Sequence, residues 1–333
     1  MPRRPSGEVT LRDVALAAGV SVATASRVLG VPTSASHARR EQVVRAAREL
    51  GYRPAGGTRA VGDAGAGRLA LVVPDLADLR FAAIARGVLG RARETGRTVL
   101  AYDAGGDATV EADILRSLPS PIDGVVLCGS SLPAGLLEDC SHGRRLVLVD
   151  GQVGSFPAIV FDVGSGIGQA LAHLRALGHA VIAYVGGSPA DSWYDHAQRG
   201  ALSAAGIEVI HLGHVPPTHG GGVAAADLVL DSGATAVLCH NDAVAIGVVR
   251  RLEAHGRRVP EDMSVVGFGN DPASALVRPE LTTVALPLLR AGREAADLAE
   301  PPALRPGPGP LPTELVVRGS TARARRVGLR VAP

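Results

Sequence analysis

From position 68 onward the chain alternates short apolar runs with longer amphipathic stretches. The runs Leu69–Val73, Val99–Tyr102, Gly124–Cys128, Leu146–Val149, Val181–Val185, Ala236–Cys239 and Val265–Phe268 are rich in Val, Leu and Ile. Continuous apolarity of this kind predicts parallel strands buried on both faces. Segments such as 81–95, 165–177, 242–255 and 287–299 carry apolar residues at helical spacing between them. Alternation of strand and helix predicts doubly wound parallel sheets, and its extent, 68–322, predicts two lobes rather than one.

The first sixty residues follow a different pattern, with helical periodicity alone. Thr10 caps a predicted helix over 11–18, in which Leu11, Val14 and Ala18 form one apolar face and Asp13 suits the positive end of the helix dipole. Gly19 permits a tight turn, and Ser21 caps a second helix, Val22 to Leu29. Ala25, Val28 and Leu29 face inward there, leaving Val22, Ala23, Ser26 and Arg27 outward. Ser36 caps a third helix (Val43, Val44, Ala47, Leu50) that stops at Gly51. Two short helices about a Gly-containing turn form a DNA-reading unit, the second helix entering the major groove.

Charge sharpens this division. Residues 1–59 hold ten Arg against four acids, residues 60–322 twenty Arg against twenty-eight acids, and the chain has no Lys. A basic head on an acidic body places the polyanion partner at the head. Other chemistry is sparse. Cys128, Cys140 and Cys239 are scattered, and the ten His lack metal-ligand spacing, so neither a disulfide framework nor a metal site is expected. No cofactor is expected either: Gly164-Ser165-Gly166-Ile167-Gly168 lacks dinucleotide-binding spacing and more simply opens a helix. Gly220-Gly221-Gly222 and Pro301–Pro312 predict loops, and the Arg-rich stretch after Ala322 a disordered tail. With no apolar run long enough to span a bilayer and no signal-peptide core, a cytoplasmic, nucleoid-associated protein is expected.

Specific motifs give the head a family. Thr10-Leu11-Arg12-Asp13-Val14-Ala15, Ala18-Gly19-Val20-Ser21-Val22-Ala23-Thr24, Ser26-Arg27-Val28-Leu29 and Leu50-Gly51-Tyr52-Arg53-Pro54 resemble the headpiece of the lactose-repressor/galactose-repressor family. The resemblance continues through Val72-Val73-Pro74-Asp75-Leu76, Asp123-Gly124-Val125-Val126, Leu177-Gly178-His179, Asn241–Gly247, Val259–Phe268, Leu281-Thr282-Thr283-Val284 and Leu315-Val316-Val317-Arg318. It implies an all-α helix-turn-helix headpiece with hinge (8–62), a linker (63–67), a two-lobe periplasmic-binding-protein-like α/β domain crossed three times by the chain (68–322), and a tail (323–333). It further implies a homodimeric regulator of near-palindromic operators, a repressor more often than an activator, controlled by a small molecule between the lobes. A regulator controlled by a protein partner is the alternative, and enzymatic activity is not expected.

Site residues follow from the same resemblance. Thr10, Ser21, Thr24, Ser26 and Tyr52 would contact phosphates, while Val22, Ala23 and Arg27 would meet base edges. The hinge departs from the family: Gly56-Gly57 disfavours a helix, Val61 stands at the position of a minor-groove Leu, and Arg59 could reach a phosphate. A folding hinge and a simple tether both remain open. In the cleft, Asp150, Phe161 and Asn241 match family types, and Phe161 could stack on a ring. Tyr194 stands where an Arg usually holds sugar hydroxyls, and Gly269 where an Asp does. Loss of both removes a bidentate clamp and points from simple sugars towards an aromatic, nucleoside-like or anionic effector. Arg80 at the cleft mouth would favour an anion, or is simply a surface Arg.

Overall fold

The computed structural model describes residues 10–22, 24–25, 42–43, 45–47, 49–50, 67–187, 193–204, 208–300 and 308–325. Two compact units divide the chain, Met1–Asp63 and Ala64–Pro333.

In the first unit, helix α1 (Leu11–Ala17) opens with a capping box in which Thr10 Oγ1 accepts from the Asp13 amide and the Thr10 amide donates back to the Asp13 carboxylate at 2.7 Å. It closes with Gly19 at φ +59°. The Gly19 amide donates to Leu16 O and the Val20 amide to Ala15 O, the pair of bonds that ends a helix through a left-handed glycine. Val14, Ala15, Ala18, Ala25, Val43 and Ala46 form the core of this unit, with Leu11, Val20 and Ala47 against it. Val28, Leu29, Ser36, Val44 and Gly51 lie outside the described residues, whereas Leu50 is half-exposed rather than central.

The second unit is the two-lobe α/β body. Its first lobe holds a parallel sheet in the order β2-β1-β3-β4-β5, from β1 (Arg68–Val73), β2 (Thr98–Asp103), β3 (Gly124–Cys128), β4 (Arg145–Val149) and β5 (Ala158–Ile159). Helices α2 (Leu79–Glu94), α3 (Ala108–Ser117) and α4 (Ala134–Ser141) intervene. The buried face of α2 is Phe81, Ile84, Ala85, Val88 and Ala92, the spacing of one helical stripe.

After β5 the chain enters the second lobe with α5 (Val163–Ala176), whose first turns contain Gly164, Gly166 and Gly168. There follow β6 (Val181–Gly186), α6 (Trp193–Ala204), β7 (Glu208–His214), α7 (His219–Asp231), β8 (Ala236–Cys239), α8 (Asp242–Ala254), β9 (Ser264–Gly269) and β10 (Thr282–Ala285). The next helix, α9 (Leu288–Leu298), returns to pack on α2 of the first lobe, and β11 (Glu314–Val316) goes back to the second, so the chain crosses three times. The second sheet runs β7-β6-β8-β9-β10-β11, parallel except where β11 meets β10. One core unites the inner faces of both lobes, and a separate core lies under the outer helices of each.

Two sequence expectations are corrected here. Gly220-Gly221-Gly222 is not a loop but the first turn of α7. The reason is proximity: a Cβ on Gly222 would strike Val244 O and lie 3.0 Å from Gly247 Cα, so α7 and α8 cross backbone to backbone. Gly87 of α2 and Gly292 of α9 make the matching crossing in the first lobe. Gly220 and Gly222 of α7 should therefore answer oppositely to alanine. Gly220→Ala, whose Cβ meets only Thr218 Oγ1 at 3.8 Å, should stabilise by up to ~1 kcal/mol through helix propensity. Gly222→Ala should destabilise by about 1–3 kcal/mol because backbone must give way; urea melts of the two variants distinguish the signs.

The second correction concerns the tail. The Ala324 amide donates to Leu177 O and Arg325 pairs with Asp262 at 2.6 Å, so the ordered body extends past Ala322. Of the Pro-rich stretch, Leu311 is bridged to Phe161, and residues 301–307 lie outside the described set. No helix among the described residues is long and apolar enough to cross a membrane.

Candidate DNA-reading head and interlobe cleft

In the head, the turn after α1 places Ser21 as cap of a second helical segment. The Thr24 amide donates to Ser21 Oγ at 3.2 Å, and the two hydroxyls lie 2.8 Å apart. Val22 is 43% exposed despite being apolar, as a residue facing a partner should be, while Ala25 is fully buried on the other face. The Thr10 hydroxyl donates to Asp13 at 2.6 Å, which holds that carboxyl below its ordinary range. Ala23, Ser26, Arg27, Tyr52, Arg59 and Val61 lie outside the described residues.

The body brings the carboxyl ends of both parallel sheets face to face, where α/β folds bind ligands. On the first-lobe wall, Asp78 caps α2 by accepting from the Arg80 amide, and the Arg80 guanidinium donates to Asp150 Oδ2 at 2.7 Å while lying 4.5 Å above the Phe81 ring. Asp150 follows β4 in a left-handed conformation, φ +57°, with its side chain 1% exposed. Burial pushes its carboxyl up, and the Arg80 charge opposes that shift. Its second oxygen, Oδ1, is buried with no hydrogen-bond partner. Arg80 is thus neither a simple surface residue nor an uncommitted cation.

On the second-lobe wall, β8 ends in His240-Asn241-Asp242. Asn241 caps α8 through the Val244 amide and donates to Pro217 O at 2.9 Å, so both ends of its amide are engaged within the fold. Asp242 is fully buried and accepts from Thr283 Oγ1, Ser274 Oγ and the Asp271 amide. His240 is pushed down to about 3, by burial first and then by the Arg80 charge, so its ring is neutral.

Beyond β9, Gly269 at φ +133° and Asn270 at φ +57° turn the chain and deliver Asp271. Its carboxyl is raised to about 7 by burial, by Asp242 and by Asp78 of the opposite lobe, with Arg80 opposing. No hydrogen bond or ion pair occupies that carboxylate among the described residues. The two lobes therefore meet across a strip holding Asp78, Asp150 and Asp271 against one guanidinium.

Two expectations change. Phe161, 2% exposed and bridged to Leu311 at a crossover, is packed in the shared core and offers no open ring face. Arg80, paired with Asp150 among a surplus of carboxylates, does not make the cleft attractive to anions. Tyr194 stands in the first turn of α6, its side chain outside the described set. Sequence reading missed Asp271, Asp78 and His240; the run Gly269-Asn270-Asp271, two turn-forming residues before an Asp, was the available signal for the first.

A helical head whose second segment is capped by Ser21, in one chain with a two-lobed α/β body with a polar cleft, is the architecture of a DNA-binding regulator. Residues 10–55 match the family described as bacterial regulatory proteins, lacI family, and residues 171–321 match the periplasmic binding protein-like domain. The chain is 32% identical over 327 residues to the HTH-type transcriptional repressor CytR of Escherichia coli (strain K12), covering 94% of this chain and 96% of that protein. It is 34% identical over 339 residues to the HTH-type transcriptional regulator MalR of Streptomyces coelicolor, covering 94% and 97%. Among solved structures, the lac repressor dimer bound to operator and the anti-inducer ONPF superposes with a TM-score of 0.73 at 26% identity, covering 95% of this chain and all of that one. The chain belongs to the lacI family of bacterial transcriptional regulators, and is not an enzyme.

Proposed function

We propose that the protein is a homodimeric repressor that binds a near-palindromic operator through its heads and is released or recruited by a small molecule between its lobes, acting at the nucleoid in the cytoplasm. The observation that carries the effector reading is the pair of unsatisfied acceptors on opposing walls, Asp150 Oδ1 and the Asp271 carboxylate. Leaving a buried acceptor such as Asp150 Oδ1 unpaired costs about 1–3 kcal/mol, and a ligand that donates both to it and to the half-buried Asp271 carboxylate recovers that energy only when the lobes are together. Such a ligand biases the closed arrangement of the body and thereby the geometry presented to the heads. Because the strip carries three carboxylates against Arg80, the effector is rich in donors or positively charged. An amine-bearing, nucleoside-like molecule suits it better than an anion or a hexose held through vicinal hydroxyls.

Footprinting the full chain on DNA upstream of its own gene, with and without a metabolite panel, tests the reading. Absence of any protected site, or a protected site that no metabolite alters, would count against it. Within the head, Arg27→Ala should relax base preference at one position of each half-site, costing ~1–3 kcal/mol on the specific sequence. Equal weakening on specific and random duplexes would instead make Arg27 a phosphate contact.

A further inference from the structure

Apart from the cleft, the second lobe has a pocket of about 270 Å³ lined by Tyr184, Arg199, Ser203, His211, Gly213 and His214. Directly behind this lining lies Asp195, a carboxylate with no exposure at all. Asp195 Oδ2 is 2.9 Å from Arg199 Nε and 3.2 Å from His214 Nε2, and Oδ1 accepts from the Tyr184 hydroxyl at 3.4 Å. The acceptor capacity of Asp195 is therefore directed at groups already in place. The donors of the rim are not. Arg199 touches Asp195 through Nε alone, leaving both terminal amino groups without a partner among the described residues. Among the described residues, His211 makes only an edge contact with the Tyr184 ring, and His214 uses one of its two nitrogens. The side chains of Arg199 and His214 are 35% and 32% exposed, open enough for a solute to reach them.

We propose that this pocket is a second binding site, for a small oxyanion: a phosphoryl or carboxylate group held by the Arg199 fork and the His211 and His214 rings. A guanidinium presents paired N–H groups that match two oxygens of such an anion, and the volume suits a small metabolite rather than a chain segment. The site is also wired to the cleft. Asp195 Oδ1 lies 3.9 Å from His240 Nδ1, and that nitrogen is 2.9 Å from Gln198 Oε1, which accepts from the Tyr184 hydroxyl in turn. An anion that draws on Arg199 and His214 therefore acts on the same carboxylate that faces His240 behind the effector cleft.

Calorimetric titration of the full chain with inorganic phosphate and, separately, with succinate, at ionic strength fixed with sodium chloride, tests the proposal. Saturable binding of phosphate or succinate at one site per chain, with Kd on the order of 1 mM or tighter, is expected; which of the two binds identifies the group. Arg199→Lys keeps a charge beside Asp195 but loses the fork, and should weaken binding roughly tenfold. His211→Ala, which removes an exposed ring whose one ring contact among the described residues is with Tyr184, should weaken it several-fold while the melting temperature stays within a few degrees of the parent. Binding that is unchanged in both variants would place the anion on the basic head, and no saturable binding of either probe would equally overturn the site.

Discussion

Affinity for an operator duplex should fall about a thousandfold between 50 and 200 mM salt, the change expected when six or more phosphates are neutralised at about −0.9 log units each per tenfold in salt. The reason lies in where the charge is. Residues 1–59 carry a net +6 within a chain whose total is only +2, so the body from Ala60 to Ala322 repels the polyanion that the head attracts. Bulk charge would predict a weak, shallow dependence; the partition predicts a steep one. A chain beginning at Arg68 should then have no measurable affinity at any salt concentration in this range, though its two lobes and three cores are intact. Fluorescence anisotropy at four or five salt concentrations gives the slope directly. A flat slope, or binding by the headless chain, would move the DNA contact surface elsewhere.

What the sequence made legible follows the strength of its patterns. The bounds of β3 and β8 coincide with the apolar runs Gly124–Cys128 and Ala236–Cys239, because strands buried on both faces admit almost nothing but apolar residues. Strand β7, Glu-Val-Ile-His-Leu-Gly-His, escaped notice because it lies at a sheet edge and is half solvent-facing. The misread glycines of α7 show a second limit: a triple Gly signals a loop locally, and only the tertiary crossing against Gly247 explains it as helix. In the head, Thr10 and Ser21 were legible as caps because capping is local chemistry. The cleft was legible only in part. Asn241 was placed correctly at the end of β8, but its amide is engaged by Val244 and Pro217, contacts that no local pattern reveals. Gly269, where the resemblance leads one to expect an Asp, drew attention away from Asp271 two residues on, since the φ values of Gly269 and Asn270 redirect the chain in a way that spacing alone does not encode.

Asp271 carries the other large expected effect. Asp271 titrates at about 7, facing Asp242 in its own lobe and Asp78 and Arg80 in the other. Its folded value lies above the ordinary 3.8, so the protonated form is favoured by folding. The stability it confers is complete below the unfolded value and is lost as pH rises through about 7, when a second carboxylate must be ionised beside Asp242. Asp271→Asn should flatten this decline in urea midpoints measured from pH 5 to 8. An effector that donates to Asp271 prefers the ionised form, so its affinity should move the opposite way, rising with pH by up to tenfold per unit below pH 7 and levelling above. Cytidine and uridine make a useful pair, since they differ chiefly in an amine donor against a carbonyl acceptor. The donor-bearing nucleoside should bind at least about tenfold more tightly, because a carbonyl cannot donate to Asp271 and an acceptor left unpaired costs about 1–3 kcal/mol; glucose and ribose should bind weakly or not at all, because Tyr194 and Gly269 offer no bidentate clamp for vicinal hydroxyls. In Asp271→Asn both the pH slope and the preference for the amine should vanish while the fold persists, since no hydrogen bond within the described residues depends on that carboxylate. Micromolar binding of unmodified glucose that also changes operator affinity, or a donor preference indifferent to the Asn variant, would show that another part of the cleft selects the effector.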